Sequence, residues 1–188
     1  AHLPWSKGVE RSIAHVSDRR HIKHVFMYRD PRDTFISYMN FLTYSSLSQQ
    51  FESSRKEQKF LVESFSNDED RLAYIIEKRR TYKFTKYAPW LTNQYCHPVR
   101  FEELYQDVVN LKKGGIGDTL KGLLTYLEVE SDSIDCNEFF DNVFNKGKTA
   151  SSEEEKIGQY KRIFKDQHYA LLDNADFKNV LNVFGYKW

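Results

Sequence analysis

Two strand–turn–helix units and the lack of any internal repeat predict an α/β fold for this 188-residue chain, with a parallel sheet flanked by helices. The first unit runs from Lys23 to Leu42 and the second from Pro98 to Leu127. Residues 1–188 read as a single domain, since this length supports one sizeable core.

In the first unit, His24-Val25-Phe26-Met27-Tyr28 is a mostly apolar run of strand length. Arg29-Asp30-Pro31 follows at once. Asp30 before Pro31 is a helix-start signature, a capping carboxylate followed by proline where no amide hydrogen is needed. Phe35, Ile36, Met39 and Leu42 then recur at helical spacing. In the second unit, Pro98-Val99-Arg100-Phe101 is the strand candidate, ahead of Glu102-Glu103-Leu104, and Gly114 to Gly117 mark a loop. Leu120, Leu123, Leu124 and Leu127 define an amphipathic helix opened by Asp118. Further helices are expected from Leu72 to Arg80, from Glu138 to Phe144, and around Phe177, Val180, Leu181 and Phe184, the last stopped by Gly185. Gln49 to Glu57 reads as a polar loop or a frayed helix end, and Thr149 to Glu155 as a surface loop.

Composition narrows the partners. With 28 Lys and Arg against 27 Asp and Glu, the net charge of +1 gives no electrostatic case for nucleic acid or an anionic membrane. The run Lys78-Arg79-Arg80 reads as a solvated helix face. No apolar run approaches a bilayer span, and no secretory segment is visible, although the chain starts at Ala1. Cys96 and Cys136 are the only cysteines and no Asn-X-Ser/Thr sequon occurs, which favours a reducing, cytoplasmic setting. The histidines lack zinc-ligand spacing with these cysteines, so no metal site is expected. Gly147-Lys148-Thr149 echoes the end of a Walker A loop, but Asn142 stands at the earlier glycine position.

Most of the chemistry lies between Tyr28 and Tyr38. Arg29 leaves the carboxyl end of a predicted strand and meets the start of a helix, where open α/β sheets place ligands and free amides favour an anion. Asp33, Thr34 and Ser37 share one helical face, opposite Phe35, Ile36, Met39 and Leu42. An Arg fork with a hydroxyl is suited to a terminal phosphate. Read from the residues alone, a second arrangement stands beside this one: Arg29 pairs with Asp33, and Ser37 is an ordinary helix serine.

The run from Val25 to Tyr38 resembles the 3′-phosphate-binding motif of cytosolic-type sulfotransferases, an Arg-x-Pro-Lys/Arg-Asp run followed by Ser-Tyr. Arg29 and Ser37 stand where that family's donor-binding Arg and Ser stand. Ala1-His2-Leu3-Pro4-Trp5 is similar to the family's Lys-Thr-His-Leu-Pro element, which implies that His2 is the catalytic base; the alternative is an idle terminal histidine. Val99 to Leu104 is similar to the family's Tyr-Glu-Asp-Leu strand end, with Phe101 replacing a Tyr that helps bind the donor; Phe101 as plain core is the alternative. Asn145-Lys146-Gly147-Lys148 resembles the Arg-Lys-Gly clamp on the 3′-phosphate, with Asn145 in place of Arg; the alternative is a basic turn. Gly158-Gln159-Tyr160-Lys161 is the nearest counterpart of the family's Gly-Asp-Trp-Lys segment.

The resemblance implies a P-loop-like sulfotransferase fold, incomplete at its N-terminus, because the family's Lys-Ser-Gly-Thr-type loop has no counterpart between Ala1 and Trp188. It implies a nucleotide-binding transferase that moves a sulfuryl group from 3′-phosphoadenosine 5′-phosphosulfate (PAPS) to a small-molecule hydroxyl or amine acceptor, without a metal. The competing class is a non-catalytic nucleotide-binding or interaction module that keeps the fold, which the Phe101 and Asn145 departures favour. A nucleotide kinase is disfavoured by the Arg29/Ser37 spacing. The acceptor and the oligomeric state cannot be read from the sequence.

Overall fold

The computed structural model of the chain describes residues 6–20, 22–79, 84–111, 115–130, 135, 138 and 157–188. In chain order these form α1 (Lys7–Arg20), β1 (His24–Tyr28), α2 (Pro31–Tyr44) and a 3₁₀ turn at Ser46–Gln50. There follow α3 (Glu52–Ser64), α4 (Asp68–Arg79), α5 (Phe84–Tyr87), a second 3₁₀ turn at Ala88–Leu91, and β2 (Cys96–Arg100). After these come α6 (Phe101–Leu111), α7 (Asp118–Leu127), α8 (Tyr160–Ile163), α9 (Asp166–Leu172) and α10 (Ala175–Val183). The described residues are mostly helical with a small two-stranded parallel sheet, an α/β arrangement in the broad sense. They fall into two compact units, Ala1–Arg29 with Lys86–Glu154 and Asp30–Thr85 with Glu155–Trp188.

In the first unit, β1 and β2 pair in parallel, in register from His24↔Cys96 to Tyr28↔Arg100. Strand alternation separates the two faces of β1. Phe26 stacks on Tyr28 and Tyr87, with centroids 6.1 and 6.4 Å away, while Val25 and Met27 on the other face are 40% and 50% exposed. Helices α6 and α7 pack on β2 and on each other, closing a core of Val108, Leu111, Leu120 and Leu124 with Leu104 and Ile116. The start of α7 is capped from α6, where the Asp107 carboxylate accepts the Leu120 amide at 2.9 Å. Helix α7 ends on Glu128 in the left-handed conformation (φ 60°), with the Val129 amide returning to the Leu124 carbonyl at 3.0 Å.

In the second unit, α2 packs against α3 and α4, and α4 against α9. Its interior holds Phe35, Ile36, Met39, Leu42, Leu61, Leu72, Ile75 and Ile76, and an aromatic chain links Phe84 to Phe35 and Phe35 to Phe177 at 5.6 and 6.0 Å. Asn174 caps α10 by accepting the Phe177 amide at 2.9 Å. Gly185 (φ 76°) ends it: the Tyr186 amide donates to the Leu181 carbonyl at 2.8 Å and the Gly185 amide to Asn182 at 3.0 Å. This turn needs a residue with φ > 0, the role expected of Gly185.

Three expectations are corrected. The second strand is Cys96–Arg100, and Phe101 is the first residue of α6 rather than the last of a strand. Glu102 and Glu103 in the first turn of α6 explain the early switch, since acidic residues favour a helix N-terminus. Of the two readings of Gln49 to Glu57, the loop is corrected and the helix end is the nearer: the segment runs from the last residues of the 3₁₀ turn through Phe51 into the start of α3. Helix α1 and most of α3 are additional elements. The helix expected through Phe144 and the loop at Thr149 to Glu155 fall on residues 139–156, outside the described residues.

Candidate functional site

Within the first unit, parallel register sets the surroundings of Arg29. Tyr28 and Arg100 are the last partners in the β1–β2 ladder, so the next residues, Arg29 and Phe101, leave the carboxyl ends of neighbouring strands together. Their side chains meet: the Arg29 guanidinium lies over the Phe101 ring, 4.9 Å from its centroid. The ring is backed one helical turn on by Tyr105, with centroids 5.8 Å apart. Beside them, Arg100 approaches the carboxylates of Glu102 and Glu103 at 3.6 and 3.5 Å. The Tyr28 hydroxyl is held above its ordinary value, first by burial and then by Glu103, with Arg100 opposing.

A separate polar cluster lies in the second unit, at the start of α2. The Asp30 carboxylate accepts the Arg32 amide at 2.9 Å as the helix cap, and it also holds the Arg32 guanidinium through Nε at 3.0 Å and Nη2 at 2.7 Å. The other face of that guanidinium lies 3.9 Å from the centroid of Tyr160. Asp33, fully buried, accepts the amides of Gly158 at 2.6 Å and Tyr160 at 3.0 Å. Gly158, with φ 70°, supplies the turn that aims those amides. Arg32 and Asp33 are therefore structural: they fasten residues 158–160 to α2.

Ser37 stands on the exposed face of α2, whereas its neighbour Tyr38 turns inward. The Tyr38 hydroxyl donates to Glu57 Oε2 at 2.8 Å, and Arg79 donates to both, at 2.8 Å to the hydroxyl and 2.7 Å to Oε2. Burial first, then the bond to Glu57, pushes the Tyr38 hydroxyl up to about 12. Burial works against the Glu57 carboxylate, but the bonds from Arg79 and Tyr38 outweigh it and leave the group below its ordinary value.

Of the residues expected from the sequence, the structure brings Arg29 and Phe101 into contact within the first unit. Ser37 belongs to the second. His2, Lys146, Gly147 and Lys148 lie outside the described residues, as does Asn145. Three polar constructions were not foreseen: the Asp33 anchor, the Tyr38–Glu57–Arg79 triad, and His168. The His168 ring is fully buried; Nδ1 accepts the Lys165 amide at 2.9 Å and Nε2 meets the Glu69 carbonyl at 3.0 Å. Because a carbonyl only accepts, Nε2 carries the hydrogen. The Asp–Pro–Arg–Asp spacing hinted at the first of these, but the partners lie far along the chain.

Among the described residues, no group of three or more His, Cys, Asp and Glu side chains is arranged to hold a metal ion, and no helix is long and apolar enough to cross a membrane. Compared with family models, curated proteins and solved structures, the chain matches none.

Proposed function

We propose that these residues form the donor-recognition part of a sulfotransferase, which transfers a sulfuryl group from PAPS to the hydroxyl or amine of a small acceptor. The observation that carries this reading is the run Tyr28 to Tyr38, in which Arg29 follows a parallel strand and Asp30-Pro31 opens the next helix. Arg32 is 5% exposed and bound to Asp30 and Tyr160. Arg29 is the arginine proposed to meet the ligand because it follows the strand and stands where the family's donor-binding Arg stands. Ser37, exposed on α2, supplies the hydroxyl in the same proposal. A guanidinium and a hydroxyl together select a 3′-phosphate over an unsubstituted ribose.

In the reaction, the acceptor oxygen or nitrogen forms a bond to sulfur as the bond from sulfur to the 5′-phosphate oxygen breaks. The acceptor proton passes to His2, and adenosine 3′,5′-bisphosphate leaves. Cytoplasmic residence belongs to the same proposal and rests on the cysteine and sequon content alone.

The non-catalytic reading keeps one observation in its favour: Phe101 has no hydroxyl for a donor, and its ring faces Arg29. Calorimetric titration with adenosine 3′,5′-bisphosphate and with AMP tests donor recognition. The bisphosphate is expected to bind more tightly, and Arg29→Ala to weaken it by about ten- to a hundred-fold, the worth of a charge-assisted hydrogen bond. Ser37→Ala should cost less. Equal affinity for both nucleotides in folded protein overturns the reading. Bisphosphate binding without turnover of PAPS selects the non-catalytic module.

A further inference from the structure

Resting on the donor-recognition reading, we infer that Asn40 is a second ligand-binding residue on α2, whose side-chain amide donates to the same 3′-phosphate as the Ser37 hydroxyl. The inference starts from how little of α2 meets water. Of its 14 residues, Ser37, Asn40 and Tyr44 alone are exposed. Spacings of three and four place them in one line along the helix. Both ends of that line are engaged. Towards the N-terminus, Thr34 is half-buried and its hydroxyl donates to the Asp30 carbonyl at 3.0 Å, while Asp33 is fully buried and holds the amides of Gly158 and Tyr160. Towards the C-terminus, the Tyr44 hydroxyl donates to the Asp68 carboxylate. Between them, neither Ser37 nor Asn40 has a side-chain hydrogen bond among the described residues.

A ligand that meets Ser37 therefore has Asn40 as the adjacent donor on this face. Residues three apart on a helix hold their Cβ atoms about 5–6 Å from each other, close enough for a hydroxyl and an amide to reach oxygens of one phosphate. The residue types carry a second argument. Alanine is the best helix former, whereas serine and asparagine compete for the backbone and weaken a helix interior. Ser37 and Asn40 bring that cost to the interior of α2, and no hydrogen bond within the described residues offsets it. Binding a ligand supplies what the fold does not.

The test uses Asn40→Ala and Asn40→Asp, the second keeping the side chain's shape while replacing its donor with a negative charge. Calorimetry gives affinities for adenosine 3′,5′-bisphosphate and AMP, thermal unfolding gives stability, and the Asn40 side-chain amide resonance is followed as each nucleotide is added. In wild type that resonance is expected to move with the bisphosphate and to stay in place with AMP. Asn40→Ala should weaken the bisphosphate about five- to ten-fold, and Asn40→Asp more, with AMP unchanged. The alanine variant should also melt about 1–2 °C higher, so affinity falls as stability rises. A wild type that prefers the bisphosphate, with both variants folded and binding it as tightly, overturns the role of Asn40 alone. So does an Asn40 resonance that ignores the bisphosphate, or an alanine variant that melts lower and loses both nucleotides. A wild type with no bisphosphate preference overturns the donor reading and this inference together.

Discussion

The Asp33 carboxylate on α2 accepts the amide hydrogens of Gly158 and Tyr160, residues 125 and 127 positions further along the chain. Both bonds are charge-assisted and the carboxylate is fully buried. Asp33→Ala leaves two amides without acceptors and should lower stability by about 3–5 kcal/mol, while Asp33→Asn keeps one acceptor and should cost about half as much. Urea unfolding of the two variants checks the order.

The Tyr38–Glu57–Arg79 triad gives stability a pH dependence at both ends. Glu57 sits below its ordinary value, so its contribution is present above the unfolded value near about 4.3 and drains away as pH falls through the folded one. Tyr38 is raised to about 12, so its contribution is present below the unfolded value near about 10 and is lost as pH rises from there towards about 12. Glu57→Gln should cost about 1–3 kcal/mol at neutral pH, with the gap from wild type closing below about pH 4. Thermal unfolding across pH, with tyrosinate absorbance at the alkaline end, reads both limbs.

Arg32 and Asp30 are 5% exposed each and bound through two N–H groups. Arg32→Ala removes the guanidinium from the Asp30 carboxylate, which keeps the helix-cap amide of residue 32, and should cost about 3 kcal/mol, whereas Arg32→Lys keeps the charge but loses the fork and the stack on Tyr160. Chemical denaturation should therefore rank Lys between wild type and Ala.

Gly117 and Asp107 act on one bond. A Cβ at Gly117 would lie 1.9 Å from Asp107 Oδ1, so an alanine there must displace the carboxylate that caps Leu120. Asp107→Ala should cost about 1 kcal/mol and Gly117→Ala at least as much. The double variant should cost less than their sum, because the cap can be lost only once. A double-mutant cycle by denaturant titration measures the difference.

Legibility from sequence followed how strongly each element advertises itself. Helix α2 could be read because Asp30-Pro31 marks its start and four apolar residues line one face, all of them buried. The Gly185 stop could be read because few residues accept φ > 0. Helix α3 could not: Leu61 is its one fully buried residue, and apart from the neighbouring Phe60 and Val62 its sequence is as polar as a loop. Phe101 misled because a strand and a helix meet there without Gly or Pro between them. The structural role of Arg32 was not read from the sequence. That Tyr160 stacks on Arg32 is a matter of tertiary contact, which the sequence does not show.

The second unit is built from two stretches of chain with residues 86–154 in between. In a polypeptide leaving the ribosome, α2, α3 and α4 therefore emerge long before α8, α9 and α10. The Asp33 carboxylate must wait 125 residues for the Gly158 amide, about 6–25 s at ordinary synthesis rates. Throughout that interval Phe35 has Phe84 within reach but lacks Phe177, and the side that Phe177 covers stays open to water. A chain stalled before Gly158 would hold this half-built unit indefinitely, a natural substrate for chaperones.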